Sequence, residues 1–243
     1  MNKKTMTLVI VTFFISWQII GLIFTNYTTI IPTPLMIIEA IISNWYYLLT
    51  NTINTLLITI ICIILTIIAS YVISIIIDNY TWGIIIYKII SILQIIPAII
   101  IIPITITIFG FSNTNIIFFN VIISSFPLIT LITKSFKSIN SNTILWFKTL
   151  TDSKFKLYSL LKIPYSFKAL HQGMMLVTTY AMSNTITSQY LIGQKGLGLV
   201  LKRSISNFQI DLSFSVCIIV ILTSLTLFYL NNLLYNRSKY AKN

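Results

Sequence analysis

The sequence predicts an all-α membrane protein that crosses the bilayer several times. Of its 243 residues, 56% are hydrophobic and only 8% are charged, and the mean hydropathy is +0.93. A soluble domain carries about a quarter charged residues, so this chain has too few charges to cover a soluble surface. Its apolar runs of about 20 residues match the length of a bilayer-spanning helix. The alternation of polar and apolar residues that a β-barrel needs is absent.

Six helical spans are predicted, with charged or turn-forming residues at their borders. Lys3 and Lys4 precede the first span, and Asp78 closes the second. The sequence GFSNTN at residues 110–115 has the Gly, Ser and Asn residues expected in a turn between the third and fourth spans. The predicted spans, all in one domain of residues 1–243, are residues 6–24, 52–77, 84–109, 115–133, 172–192 and 212–234.

Basic residues are distributed unequally between the two ends of these spans. Because lysine and arginine favour the cytoplasmic side of a membrane, the bias predicts that both termini are cytoplasmic. The net charge of +12 is then explained by topology rather than by nucleic acid binding. The predicted outer side holds Lys195, Lys202, Arg203, Glu39 and Asp211; the predicted inner side holds Lys3, Lys4, Lys88, the cluster from Lys134 to Lys168, Arg237, Lys239, Lys242, Asp78 and Asp152.

Two connections are too long to be simple turns. The outer one, residues 25–51, contains Pro32-Thr33-Pro34 followed by an apolar, aromatic-rich helical pattern suited to the membrane interface. The inner one, residues 134–170, contains the basic stretch TLTDSKFKLYSLLKIP at residues 149–164.

The inner connection has the pattern of one or two short amphipathic helices. Its apolar residues recur mostly at spacings of three and four, and Asp152 with Ser153 resembles a helix start, whereas Pro164 is expected to end the pattern. Two interpretations remain open from spacing alone. The helices rest on anionic lipid headgroups through their lysines, or they dock on a cytoplasmic partner through their apolar face.

The same loop resembles the inner loop of bacterial ABC importer permeases. That loop has the pattern EAA, three residues, Gly, nine residues, then I-x-L-P. Aligning the last proline with Pro164 places Leu161 and Ile163 at the I and L positions, and Thr151 at the glycine position. The EAA position falls on Leu145-Trp146-Phe147, so the end of the pattern matches and its beginning does not.

Further motifs resemble the branch of these permeases that carries nitrate, sulfonates, taurine and pyrimidine precursors of thiamine. They occur in the same order along about residues 30–205. The matching residues are Pro32, Pro34, Leu35–Ala40, Gln94, Pro97, Pro103, Phe109, Gly110, Phe126, Pro127, Gly193, Gly196, Leu197 and Gly198. The chain departs from the branch at Gln189, where a glutamate is frequent, and at Thr151, which is expected to make the turn between the loop helices less permissive.

The resemblance implies a permease of the MetI-like fold, with a second copy of itself, two cytoplasmic ABC ATPase subunits and an extracytoplasmic binding protein as partners. ATP would be bound by the partner subunits, and no cofactor of the chain itself is expected. The loop residues expected to contact the ATPase are Thr149, Leu150, Thr151, Asp152, Ser153, Lys154, Phe155, Leu157, Tyr158, Leu161, Ile163 and Pro164.

A second group of residues is expected to line the translocation path. Prolines inside the third span kink it, and polar residues at membrane depth favour the interior of a helix bundle. The alternatives are prolines tolerated by neighbouring helices and polar residues that only join helices. The expected path residues are Gln94, Pro97, Pro103, Asn184, Ser188 and Gln189.

The sequence gives no support for an enzyme. It has no GxxxxGK[ST] phosphate loop, no GxSxG and no HExxH, so neither ATP hydrolysis nor intramembrane catalysis by this chain is expected. His171 has no second ligand at metal-binding spacing, and Cys62 and Cys217 lie in apolar runs. The open alternative is a transporter or channel that uses no ATPase, in which the basic loop only fixes topology.

Overall fold

The computed structural model describes residues 3–25 and 31–237. These residues are almost entirely helical and contain no strand. The α-helices are α1 (Lys3–Thr25), α2 (Pro34–Ser43), α3 (Trp45–Asn79), α4 (Gly83–Leu93), α5 (Ala98–Phe109), α6 (Asn113–Lys137), α7 (Ser141–Leu150), α8 (Lys154–Lys156), α9 (Ile163–Tyr165), α10 (Phe167–Leu191), α11 (Leu197–Ser206) and α12 (Ile210–Arg237). A π-helical segment, Leu157–Lys162, joins α8 to α9.

Helices α3, α6 and α10 form the centre of the molecule. Side chains from all three helices bury one another; the central members are Cys62, Ile116, Leu128, Ile132 and Val177. Small polar residues of α3 also face this centre, and Ser74 donates to the Ile129 carbonyl of α6 at 3.3 Å. Such contacts satisfy buried hydroxyls between helices that have no water around them.

Three helices within residues 3–25 and 31–237 are long and apolar enough to cross a membrane. They are Trp45–Asn79, Asn113–Lys137 and Ile210–Leu234. The expected count of six spans therefore stays a prediction. Helix α10 has the necessary length, but Asn184, Thr185 and Gln189 in its second half make it less apolar.

The third predicted span is not one continuous helix. The chain leaves the helical conformation after Leu93, and α5 begins after Pro97, whose missing N–H and ring prevent continuation of α4. Pro103, by contrast, remains inside α5. The expected kink is therefore a break at the first proline.

The helix start predicted at Pro32-Thr33-Pro34 is present. Thr33 caps α2, its hydroxyl accepts the Met36 N–H at 3.2 Å, and Pro34 occupies the first turn, where no N–H is needed. The prediction that Pro164 ends the loop helix is wrong. Pro164 lies in α9, and only Ser166 separates α9 from α10. The predicted inner residues Lys239 and Lys242 lie outside the described residues.

Candidate functional site

The inner loop consists of two helical parts joined by a short extended stretch. Helix α7 ends at Leu150, and Ser153 caps the next helix by accepting the Lys156 N–H at 3.4 Å, as the Asp152-Ser153 pattern predicts. Thr151 has φ −163° and ψ 137°, which any residue adopts. The expectation that Thr151 makes this turn less permissive than glycine is therefore wrong, because the turn needs no glycine.

Large apolar side chains are exposed on both helical parts of this loop. Phe155 is 80% exposed, more than almost any other large apolar side chain that the structure describes. Its exposed neighbours are Leu145, Trp146, Leu150 and Leu160. We call Leu145, Trp146, Leu150 and Phe155 the loop apolar surface. It includes two of the expected ATPase-contacting residues and two from the degenerate EAA position.

Other expected contact residues face the protein itself. Tyr158 is buried against Phe136 of α6, with ring centroids 5.9 Å apart. Thr151, Leu157, Leu161, Ile163 and Pro164 are partly buried, whereas Thr149, Asp152, Ser153 and Lys154 are exposed. The π-helical segment therefore divides the predicted apolar face into an outward part and a part that packs on the bundle.

A buried ion pair fixes the loop to the end of α3. Lys162, 8% exposed, forms a salt bridge with Asp78, and the Tyr158 hydroxyl donates to the same carboxylate at 2.8 Å. Burial, and next the hydrogen bond and charge of Asp78, raises the pKa of Tyr158, which keeps it a donor. Lys154 adds a bond from its Nζ to Asn79 Oδ1 at 3.1 Å. Sequence reasoning missed this pair, because Asp78 and Lys162 are 84 residues apart.

A groove of about 630 Å³ lies beside the loop, between the end of α6 and the start of α10. Lys134, Pro164 and Lys168 are among its lining residues. It places two lysines of the predicted inner cluster at one open surface, next to the segment that the ion pair fixes.

A second cavity, of about 340 Å³, lies between α4, α6 and α10. It brings together Gln94 and Asn184, two of the expected path residues, with Ser183 and Tyr180. Gln94 Nε2 donates to Thr130 Oγ1 at 2.8 Å. Asn184 is only 6% exposed, and its Nδ2 has no hydrogen-bond partner in the protein. The cavity therefore has polar but uncharged groups in its wall, and the unpartnered Asn184 Nδ2 lies buried beside it.

The other expected path residues do not line this cavity. Pro97 and Pro103 are exposed on the outside of the chain, at the break and inside α5. Ser188 and Gln189 are fully buried. Gln189 Oε1 instead accepts the Thr55 hydroxyl at 2.8 Å and the Gly198 N–H at 3.3 Å.

The glycine-rich loop before α11 is bound tightly by side chains of α3 and α10. The Gly196 N–H donates to Asn51 Oδ1 at 2.7 Å, and the Leu197 N–H donates to Thr55 Oγ1 at 2.9 Å. Gly196 has φ +108°, a conformation that favours glycine. Since these N–H groups already have partners, the loop is a packing element between α3, α10 and α11.

Replacing Gly198 by alanine is expected to destabilise the protein by about 1–3 kcal/mol, because the added methyl group would overpack the junction. It would contact the Ile186 carbonyl oxygen and the Tyr190 nitrogen, which are backbone atoms of α10 and cannot yield easily. Thermal unfolding of the purified chain in detergent measures the effect. Ser206→Ala is the control, since Ser206 is exposed on the same helix and its loss should stay within about 0.5 kcal/mol of the parent. Equal losses in the two variants would contradict the packing role.

The fold and these sites define an integral membrane protein with a helix-bundle core and a protruding basic loop. Residues 79–240 match the family model described as binding-protein-dependent transport system inner membrane component. The chain belongs to this family, and it is a membrane-embedded ABC transport permease subunit. The family implies association with an ABC ATPase and a binding protein. Comparison with curated proteins gives no match.

Proposed function

We propose that the chain is the permease subunit of an ATP-driven importer and moves a small solute inward by alternating access. Its six spans place both termini in the cytoplasm, and two copies form the membrane core on two ATPase subunits. A binding protein delivers the solute to the outer face. The solute classes implied by the resemblance to the nitrate, sulfonate and taurine branch are a sulfonate, taurine or nitrate-like solute and a pyrimidine thiamine precursor.

The observation that carries this proposal is the loop apolar surface, of which Phe155 lies on a segment anchored to α3. Exposed aromatic and aliphatic side chains on a lysine-rich, cytoplasmic loop are costly in water and suit a groove on a protein partner. The Asp78–Lys162 pair and the Lys154–Asn79 bond connect the segment that carries Phe155 to the end of α3. A partner that pulls on the loop would therefore move a membrane helix and not only the loop itself.

The cavity between α4, α6 and α10 supports a path through the bundle. Its wall carries the Gln94 and Asn184 side chains and no charged residue, so a passing solute meets no fixed charge at membrane depth. ATP binding would close the ATPase dimer and shift the population of permease conformations, since each conformation binds the closed dimer with different affinity.

Purification of the tagged chain from native membranes tests the proposal. We expect an ATPase that carries a GxxxxGK[ST] phosphate loop to co-purify in a 1:1 ratio with the permease, as identified by mass spectrometry. Native mass measurement then gives the number of permease copies. Co-purification of no such ATPase, together with solute uptake that persists when ATP is depleted, would favour the ATPase-independent transporter instead.

A further inference from the structure

A third cavity, of about 520 Å³, lies between the first turns of α3 and helix α11. Tyr47, Thr50 and Asn54 of α3 and Gln194, Lys195 and Arg203 from the α11 region contribute polar groups to its lining. Both cationic side chains are exposed.

The cavity lies at the end of the molecule opposite the loop. Helix α3 begins at Trp45, beside the cavity, and ends at Asn79, beside the Asp78–Lys162 pair. A helix of 35 residues is about 50 Å long, which exceeds the thickness of the hydrocarbon core. If the loop is cytoplasmic, as proposed above, this cavity opens on the side from which the solute arrives.

The charge of the cavity has one sign. No acidic residue is among its lining residues, and Glu39 and Asp211, the two acidic residues predicted for this side, do not belong to it. Membrane proteins carry few cations on the outer side. Three cations are predicted for the outer side of this chain, and two of them, Lys195 and Arg203, line this one cavity.

We propose that this cavity is an entry site that attracts and holds a small anionic solute, such as a sulfonate or nitrate, before it passes inward. The proposal rests on the proposed import function and deepens it, because it selects the anionic class over the neutral pyrimidine. Clustered cations raise the local concentration of an anion, and the guanidinium of Arg203 matches planar or tetrahedral oxyanions. The cavity at Gln94 and Asn184 has no charged residue among its lining residues, so charge holds an anion only at the α3–α11 cavity.

Cysteine labelling measures the sign of the potential in this cavity. The reporter is Thr50→Cys in a Cys217→Ala background, in which the remaining Cys62 is buried. Whole cells are treated with methanethiosulfonate reagents that carry either a sulfonate or a trimethylammonium group and do not cross membranes. We expect the ratio of anionic to cationic labelling rates to be about tenfold higher at Thr50→Cys than at Thr114→Cys, an exposed uncharged position in the first turn of α6.

Neutralising the lining cations provides the specific control. Lys195→Gln with Arg203→Gln should remove most of the tenfold preference, whereas Lys202→Gln, on the same helix but outside the lining, should leave it nearly intact. A preference that is absent, or that survives loss of both lining cations, would overturn the proposal.

Protection by solutes then identifies the ligand class. Taurine, sulfate or nitrate should slow labelling at Thr50→Cys with an uncharged maleimide in phosphatidylcholine nanodiscs, whereas an aminomethylpyrimidine should not. If only anionic lipid slows the labelling, the cavity binds lipid and the solute site is overturned. If no small anion slows it, the solute site is also overturned, in favour of an acidic face of the binding protein. Labelling of Thr50→Cys only in inverted vesicles would instead refute the proposed orientation. The ratio of anionic to cationic labelling rates in those vesicles would still test the charge of the cavity.

Discussion

Replacing Phe155 by lysine is expected to abolish transport while the permease itself folds normally. Phe155 is 80% exposed, so its substitution removes almost no contact within the chain. If it inserts into a groove of the ATPase, the variant loses a buried aromatic contact and places an unpaired charge there. Aromatic anchors of this kind contribute about 2 kcal/mol or more to binding, so affinity should fall by at least about thirtyfold. ATPase co-purification and uptake by the reconstituted complex measure the two losses.

Phe208→Lys is a matched control for this variant. Phe208 is 84% exposed, as an isolated aromatic between α11 and α12 at the end of the molecule away from the loop. Its substitution should leave ATPase co-purification unchanged, and Phe155→Leu should retain most of it because an apolar anchor remains. Normal co-purification and uptake for Phe155→Lys would refute the loop as the ATPase contact, and an identical loss in Phe208→Lys would make the effect nonspecific.

The helical class and the membrane location followed from composition, because few charges and long apolar runs leave a chain no other stable arrangement. Local signals also predicted particular details, such as the helix starts at Pro32-Thr33-Pro34 and at Asp152-Ser153. The division of the third span at Pro97 was less visible, since proline within an apolar run either kinks a helix or ends it. Neighbouring helices decide between the two outcomes.

The candidate sites depend on contacts that are distant in sequence. Helical spacing placed Tyr158 with the exposed apolar residues, but the π-helical segment and the carboxylate of Asp78 turn it inward. Gln189 looked like a path residue because it is polar at membrane depth. In the folded chain it instead accepts hydrogen bonds from Thr55 and Gly198. Polarity at membrane depth indicates that a residue has a partner, but it does not distinguish a solute from another helix.

Replacing Asp78 by alanine is expected to destabilise the protein more than any other single substitution in the loop region. The change leaves the ammonium group of Lys162 buried without its counter-charge, and the Tyr158 hydroxyl without its acceptor. Removing one partner of a buried ion pair costs about 3–5 kcal/mol. Thermal unfolding in detergent, with limited proteolysis at the loop, measures the loss. Asp152→Ala, an exposed carboxylate in the same loop, should stay within about 0.5 kcal/mol of the parent.

A double variant separates the ion pair from general damage to the α3 end. Asp78→Asn with Lys162→Met removes both charges and keeps a polar group near Tyr158. Because the two side chains are in contact, the effects of their substitutions are coupled, and the double variant should recover most of the stability that Asp78→Ala loses. If the pair also transmits motion, this stable double variant should still bind the ATPase through Phe155 but transport less solute per ATP hydrolysed. Equal destabilisation in Asp78→Ala and Asp152→Ala would contradict the buried pair. A double variant with unchanged transport per ATP would restrict the role of the pair to stability.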